Sequence, residues 1–312
     1  MRWVIKNISL AKKNVNTFLF FLNIFFYFFS NFSCLHKKIL FIIVETMKHS
    51  KVSILFATVL FFVMMPTHAI SEHTEETINE FMMLRMNLSL CENPNEALDK
   101  INSFEKEHSL TDCTAEEIII LENFYELERY NYLQKIENDA PETVQKMKMQ
   151  LDKNIKWMNE NKNSVSDKWL LTTFGDLISV SMSFDPIKMA LKYGLSVKKL
   201  YEQAIEQDAT FSYALLNLAQ WYYYAPGISG GSKIKAKSLF ETSLKNAKND
   251  AERYFAKIFL SQVAFDEKNK DLAEKLLAEA DSYVPGGAYV SEIREINKSG
   301  ISLFAQHMKK AK

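Results

Sequence analysis

Few residues in this 312-residue chain stand where chemistry would need them. The stretch Gly227-Ile228-Ser229-Gly230-Gly231-Ser232-Lys233 has the composition of a phosphate-cradling loop, but not its spacing. That motif places glycine directly before lysine and four residues between its glycines. No strand pattern precedes it, so the stretch is expected to be a turn, with glycine supplying positive backbone angles. His73, His108 and His307 lie far apart and share no metal-ligand spacing. No serine, cysteine or acidic pair stands in a recognisable catalytic context. The residues argue for a binding protein, not an enzyme, with no cofactor and no metal site.

Cysteine adds one structural option. Cys91 and Cys113 follow the N-terminal region, and Cys34 lies within it. In an exported chain Cys91 and Cys113 could form one disulfide, worth about 2–4 kcal/mol; two buried free thiols fit the sequence equally well. Charge narrows the partners. Residues 1–69 hold eight Lys or Arg and one acid, which leaves 30 basic and 37 acidic residues after position 69, a net charge of −7. An acidic chain of this kind does not favour nucleic acid.

The elements that must position any site read as helices throughout. Thr74 to Leu90 carries Ile78, Phe81, Met82 and Leu84 at helical spacing. Asn93-Pro94 breaks it, and Ala97, Ile101 and Phe104 line a second helix. Thr114 with Glu117 forms a capping box opening a third. Pro141 suits the first turn of a fourth, with Val144, Met147, Leu151, Ile155 and Met158 inward. From 166 onward helix pairs recur. In 211–248 the apolar positions Leu215, Leu218, Ala219 and Tyr222 precede the glycine turn. Ser232 then caps a helix bearing Ala236, Leu239, Phe240 and Leu244. Neither helix can hide its apolar stripe alone, so each must stack on neighbours.

The small residues in these pairs carry a resemblance. Residues 254–287 place Leu260, Ser261 and Ala264, then Ala273, Leu277 and Ala280, then Pro285. This frame resembles the 34-residue tetratricopeptide repeat. Phe174, Gly175 and Ile178 with Val197, Tyr201 and Ala204 fit the same frame with a longer connection, as do Leu218, Ala219 and Tyr222 with Ala236, Phe240 and Ser243. The segment Tyr223, Tyr224, Pro226, Gly230, Gly231, Ala236 is similar to the T component associated with periplasmic TRAP-type transporters. The resemblance implies an all-α solenoid of antiparallel helix pairs over 163–312, ending in a capping helix with Ile293, Ile296, Ile301 and Phe304, and preceded by a helical region over 70–162. It also implies a concave face that grips a protein or peptide, such as a periplasmic solute-binding protein. The residues implied on that face are Trp169, Asp176, Tyr213, Leu216, Gln220, Tyr223, Tyr224, Phe255 and Gln262. The alternative is a small ligand held in a channel through the stack.

The N-terminus sets the expected location. Lys48 and Lys51, the apolar run Val52–Met65, Pro66 and the small residues Thr67-His68-Ala69 make 47–69 a signal peptide, with cleavage after Ala69 and export to the periplasm or beyond. Residues 1–46, with the Phe- and Leu-rich run from Thr17 to Phe29, are a hydrophobic leader or precede the true start at Met47. Contact with a membrane is expected only through an uncleaved N-terminus.

Overall fold

The computed structural model describes residues 69–184 and 186–310, so the leader and the signal-peptide expectation lie outside the described residues. These residues form twelve α-helices and no strand. The N-terminal helix α1, Glu72–Asn87, is capped by Ser71, whose side chain accepts from Thr74 N, and ends in a 3-10 turn at Leu88–Leu90. Asn93 caps α2, Pro94–Glu107. The capping box expected at Thr114 and Glu117 opens α3, Ala115–Ile136; burial pushes the Glu117 carboxyl up, but hydrogen bonds from Ser71 and Thr114 outweigh it and hold it low, at about 2. Proline occupies the first turn of α4, Pro141–Glu160.

Then come α5, Lys168–Ser181, and α6, Pro186–Gln207. The next pair, α7, Ser212–Tyr224, and α8, Lys233–Asn246, flanks the glycine turn. The turn is tight for a local reason. Gly230 has φ 92°, and a Cβ on Gly231 would sit 1.8 Å from the Ala225 carbonyl oxygen. A three-residue turn joins α9, Asp250–Asp266, to α10, Lys270–Asp281. The single C-terminal helix expected from sequence is two: α11, Ala288–Lys298, and α12, Leu303–Lys310, separated where Gly300 takes φ 86°. Among the described residues no helix is long and apolar enough to cross a membrane.

Small residues let the pairs approach. Ala219, Ala273 and Ala280 are buried, as the packing of close helices requires. A Cβ on Gly175 of α5 would meet the Tyr201 ring of α6 at 2.5 Å, so the missing side chain is what lets that ring approach α5 closely.

Helices pair as α2 with α3, α5 with α6, α7 with α8 and α9 with α10. One helix of each pair, together with α1, makes a second set of contacts. These run α1 to α3, α3 to α5, α5 to α7, α7 to α9, and from α9 back to α1. Five helices therefore close on themselves; α11 lies against α10 and the Leu88–Leu90 turn, and α12 packs on α7 and α9. Most of the buried apolar side chains form one continuous cluster from Ile78 to Phe304, each contributing about 1.5–3 kcal/mol when fully buried.

Candidate functional site

Every helix of the closed set sends side chains into one cavity of about 1860 Å³. Its walls are largely apolar and aromatic, with Met82, Met86, Phe124, Leu216 and Phe259 among them. A few polar groups converge within it. Arg85 continues the Ile78–Met82 stripe of α1 one turn further, which is why a charged side chain faces inward there. Its Nε donates to Glu128 Oε2 at 2.8 Å, and its guanidinium carbon lies 5.5 Å from the centre of the Phe255 ring. Nη1 reaches only the weak acceptor Met82 Sδ, at 3.3 Å, and Nη2 has no hydrogen-bond partner among the described residues. Burial opposes the charge, but Glu128, then Tyr213 and Asp176, hold the guanidinium above its ordinary value.

Opposite lies Asp176 of α5. Its Oδ1 accepts from Tyr201 OH at 2.7 Å; its Oδ2 accepts from Tyr213 OH at 2.6 Å and from Asn217 Nδ2 at 3.3 Å. Burial pushes this carboxyl up to about 6, against the pull of the two tyrosine donors and Arg85. The phenols of Tyr201 and Tyr213 move well upward in turn, through burial first and the Asp176 charge second. Tyr201 reaches Asp176 only because Gly175 leaves room for its ring.

The nine residues expected on a concave face divide into two groups. Asp176, Tyr213, Leu216, Gln220, Tyr224 and Phe255 line the cavity. Trp169, Tyr223 and Gln262 are buried behind its wall. Trp169 packs edge-on against Phe211 at 4.6 Å and also meets Phe124. Tyr223 stacks on Phe304 at 3.8 Å and donates its hydroxyl to Asp266. Gln262 Oε1 accepts from Leu303 N at 2.8 Å and so anchors the start of α12. Gln220 Nε2 donates to Asn217 Oδ1 at 3.0 Å, and Tyr224 OH lies 3.0 Å from His307 Nδ1.

Sequence reasoning missed Arg85, Glu128 and Asn217 as site residues, and read Tyr201 as packing only. The signal was present for the two charges. Arg85 lies three residues after Met82, and Glu128 four after Phe124, so each falls on an apolar helical stripe.

Elsewhere the motifs are structural. Cys91 and Cys113 are both free thiols; Cys91 stands at the cavity rim, and Cys113 Sγ is 3.7 Å from Thr74 Oγ1. Ser232 caps α8 after the glycine turn, accepting from Lys235 N. His108 stacks on Phe104 at 3.9 Å with Nε2 2.9 Å from Glu80. Among the described residues no group of three or more His, Cys, Asp or Glu is placed to hold a metal ion.

Such an arrangement can recognise a bound molecule. Apolar walls supply area, Arg85 offers a donor, Asp176 and the Asn217–Gln220 amides offer acceptors and donors, and together they would orient a bound molecule. Comparison of the chain with protein-family models, curated proteins and solved structures gives no match.

Proposed function

We propose that this chain is an exported helical-repeat scaffold that holds an amphipathic small molecule in its central cavity. The observation that carries this reading is closure. Packing of α9 on α1 turns what would be an open concave face into a half-open cavity lined by Arg85 and by six of the nine expected site residues, Asp176 among them. The resemblance of the helix pairs to tetratricopeptide repeats, and of the glycine turn to the T component of TRAP-type transporters, adds a place for such a scaffold. It would be a solute-handling protein of a periplasmic uptake system, exported through the signal at 47–69.

A second reading keeps the protein or peptide partner. It is favoured by size, because about 1860 Å³ exceeds the roughly 300–1,000 Å³ of ordinary small-ligand pockets and has room for a short peptide segment. One experiment separates the two. The full chain is purified under native conditions, denatured and extracted, and the released molecules are identified by mass spectrometry beside those from Leu216→Trp. Leu216 lines the cavity, so the larger ring takes up part of it. A small amphipathic compound released by the wild type and reduced in the variant supports the first reading. Peptides released in its place support the second, and identical extracts from both proteins contradict both.

A further inference from the structure

One face of the molecule departs from the charge of the rest. The chain after position 69 is acidic, yet 186–201 and 209–240 together hold seven lysines, no arginine and no Asp or Glu. The structure brings these two stretches together. Trp221 Nε1 of α7 donates to the Gly194 carbonyl of α6 at 3.0 Å. Lys198 of α6 and Lys235 of α8 both lie over the Tyr222 ring, at 5.7 and 5.3 Å. Ser232 N donates to Tyr222 O at 2.9 Å, which ties the glycine turn back onto α7.

This face also exposes large apolar side chains that the core does not use. Ile228 is 98% exposed, Ile234 85%, Leu191 84% and Leu195 69%. Ile228 stands on the glycine turn and Ile234 in the first turn of α8, so both project where the chain turns outward. Lys192, Lys199 and Lys235 have no acidic partner among the described residues, whereas Lys198, Lys233 and Lys237 pair with Glu202, Asp266 and Glu267. Leu195, Trp221, Pro226 and Ser229 of the same face form part of the cavity rim.

The geometry points to a lipid surface carrying anionic headgroups as the occupant of this face, docked through Ile228 and Ile234 and held by the surrounding lysines. Three features select lipid over a folded partner. Protein interfaces favour arginine and are depleted in lysine, and the basic residues of this face are all lysine. Isolated apolar side chains on a projecting turn find no pocket on a flat protein surface, but enter the headgroup boundary as an amphipathic element does. Each lysine near an anionic surface contributes about 1 kcal/mol without fixed geometry, which flexible unpaired side chains supply. Trp221 and Tyr193, half-buried beside them, suit the same boundary. This inference stands apart from the cavity's occupant, though it would set the cavity rim against the bilayer.

The test is co-sedimentation of the full chain with phosphatidylcholine vesicles, with and without phosphatidylglycerol, at low and high salt. Wild type is compared with Ile228→Ser/Ile234→Ser and with Lys192→Gln/Lys235→Gln. All four positions are exposed, so circular dichroism should show the same helix content in each. The N-terminal apolar residues are common to all three proteins, and the difference between proteins is the readout. The expected result is partition onto anionic vesicles that salt weakens, with each double variant weaker by at least about tenfold. Equal partition of the three proteins, or no preference for anionic lipid, overturns the proposal. Self-association that the isoleucine variant abolishes, without any effect on vesicle binding, overturns it in favour of a second copy of the chain; capture of a folded acidic protein with the same dependence overturns it in favour of a protein partner.

Discussion

Asn249 Nδ2 donates to Asn79 Oδ1 at 3.0 Å, joining two residues 170 positions apart. Asn249 is also the cap of α9, where its side-chain oxygen accepts from Glu252 N at 2.9 Å. One amide thus starts the helix and fastens it to α1, so local and long-range structure meet at a single side chain.

That dual role makes two substitutions unequal. Asn79→Ala removes only the seam bond and is expected to cost about 0.5–1.5 kcal/mol. Asn249→Ala loses the cap as well, and its cost should be larger by about 1 kcal/mol. Urea denaturation followed by circular dichroism checks the order; equal costs would mean the cap contributes nothing, and an unchanged stability in Asn79→Ala would mean the seam bond contributes nothing.

A buried amide cluster sets the register of α3 against α4 and α5. Asn123 Nδ2 donates to Asn154 Oδ1 at 2.9 Å and to Thr173 Oγ1 at 3.0 Å, and its Oδ1 accepts from Gln150 and Asn154 at 2.8 Å each. Asn123→Ala strands Asn154 Oδ1 and Gln150 Nε2 in the core, each costing about 1–3 kcal/mol if left unpaired, whereas Thr173 Oγ1 keeps its bond to the Trp169 carbonyl. The loss should reach several kcal/mol, well above that of Thr173→Val, which removes one hydroxyl. Thermal melts of the two variants make the comparison, and similar values would remove the network from the account.

The close approach of helix pairs rests on small residues. Ala280→Phe inserts a ring at a fully buried position and is expected to cost roughly 1–3 kcal/mol. Gly175→Ala should show a coupled effect. Its Cβ would push the Tyr201 ring, whose hydroxyl holds Asp176, so both stability and ligand retention should fall. Tyr201→Phe in the same assay keeps the ring and removes only the hydroxyl; retention should fall there with less loss of stability.

Two carboxyls predict opposite pH trends. Asp176 titrates in the folded chain near 6 against an ordinary value of 3.8. The folded state therefore binds the extra proton, and its contribution is fully present below about 3.8 and lost as pH rises through about 6. Glu117 sits near 2 against 4.5, so its contribution is present above about 4.5 and fades as pH falls toward 2. Asp176→Asn should flatten the loss of stability between pH 4 and 6, and Glu117→Gln the loss below pH 4.5. Denaturant midpoints across pH measure both.

Much of this architecture is legible in local patterns. The capping box at Thr114, the proline starts, the Ala273–Leu277–Ala280 face and the fit of Phe174, Gly175 and Ile178 to Val197, Tyr201 and Ala204 all come from neighbours within one or two helices. On α4 the apolar stripe misleads in part, because Gln150 and Asn154 are buried among Met147 and Leu151 to reach Asn123. Closure leaves no such trace. The α1–α9 seam depends on the summed rotation over the four steps α1–α3, α3–α5, α5–α7 and α7–α9, and no residue spacing encodes that sum. For the same reason Arg85 and Glu128 read as interruptions of two stripes until the structure puts them 2.8 Å apart.

Closure is also the claim on which the cavity depends, and short-range cross-linking tests it directly. Asn79→Cys and Asn249→Cys are placed together in a full chain with Cys34, Cys91 and Cys113 replaced by serine, and treated with a short bis-maleimide. The closed arrangement predicts an intramolecular product in high yield under native conditions, lost in denaturant, and far above the yield from Asn79→Cys paired with Lys237→Cys. A native yield no higher than that control would show that α9 does not meet α1, and would return the inner face to an open groove.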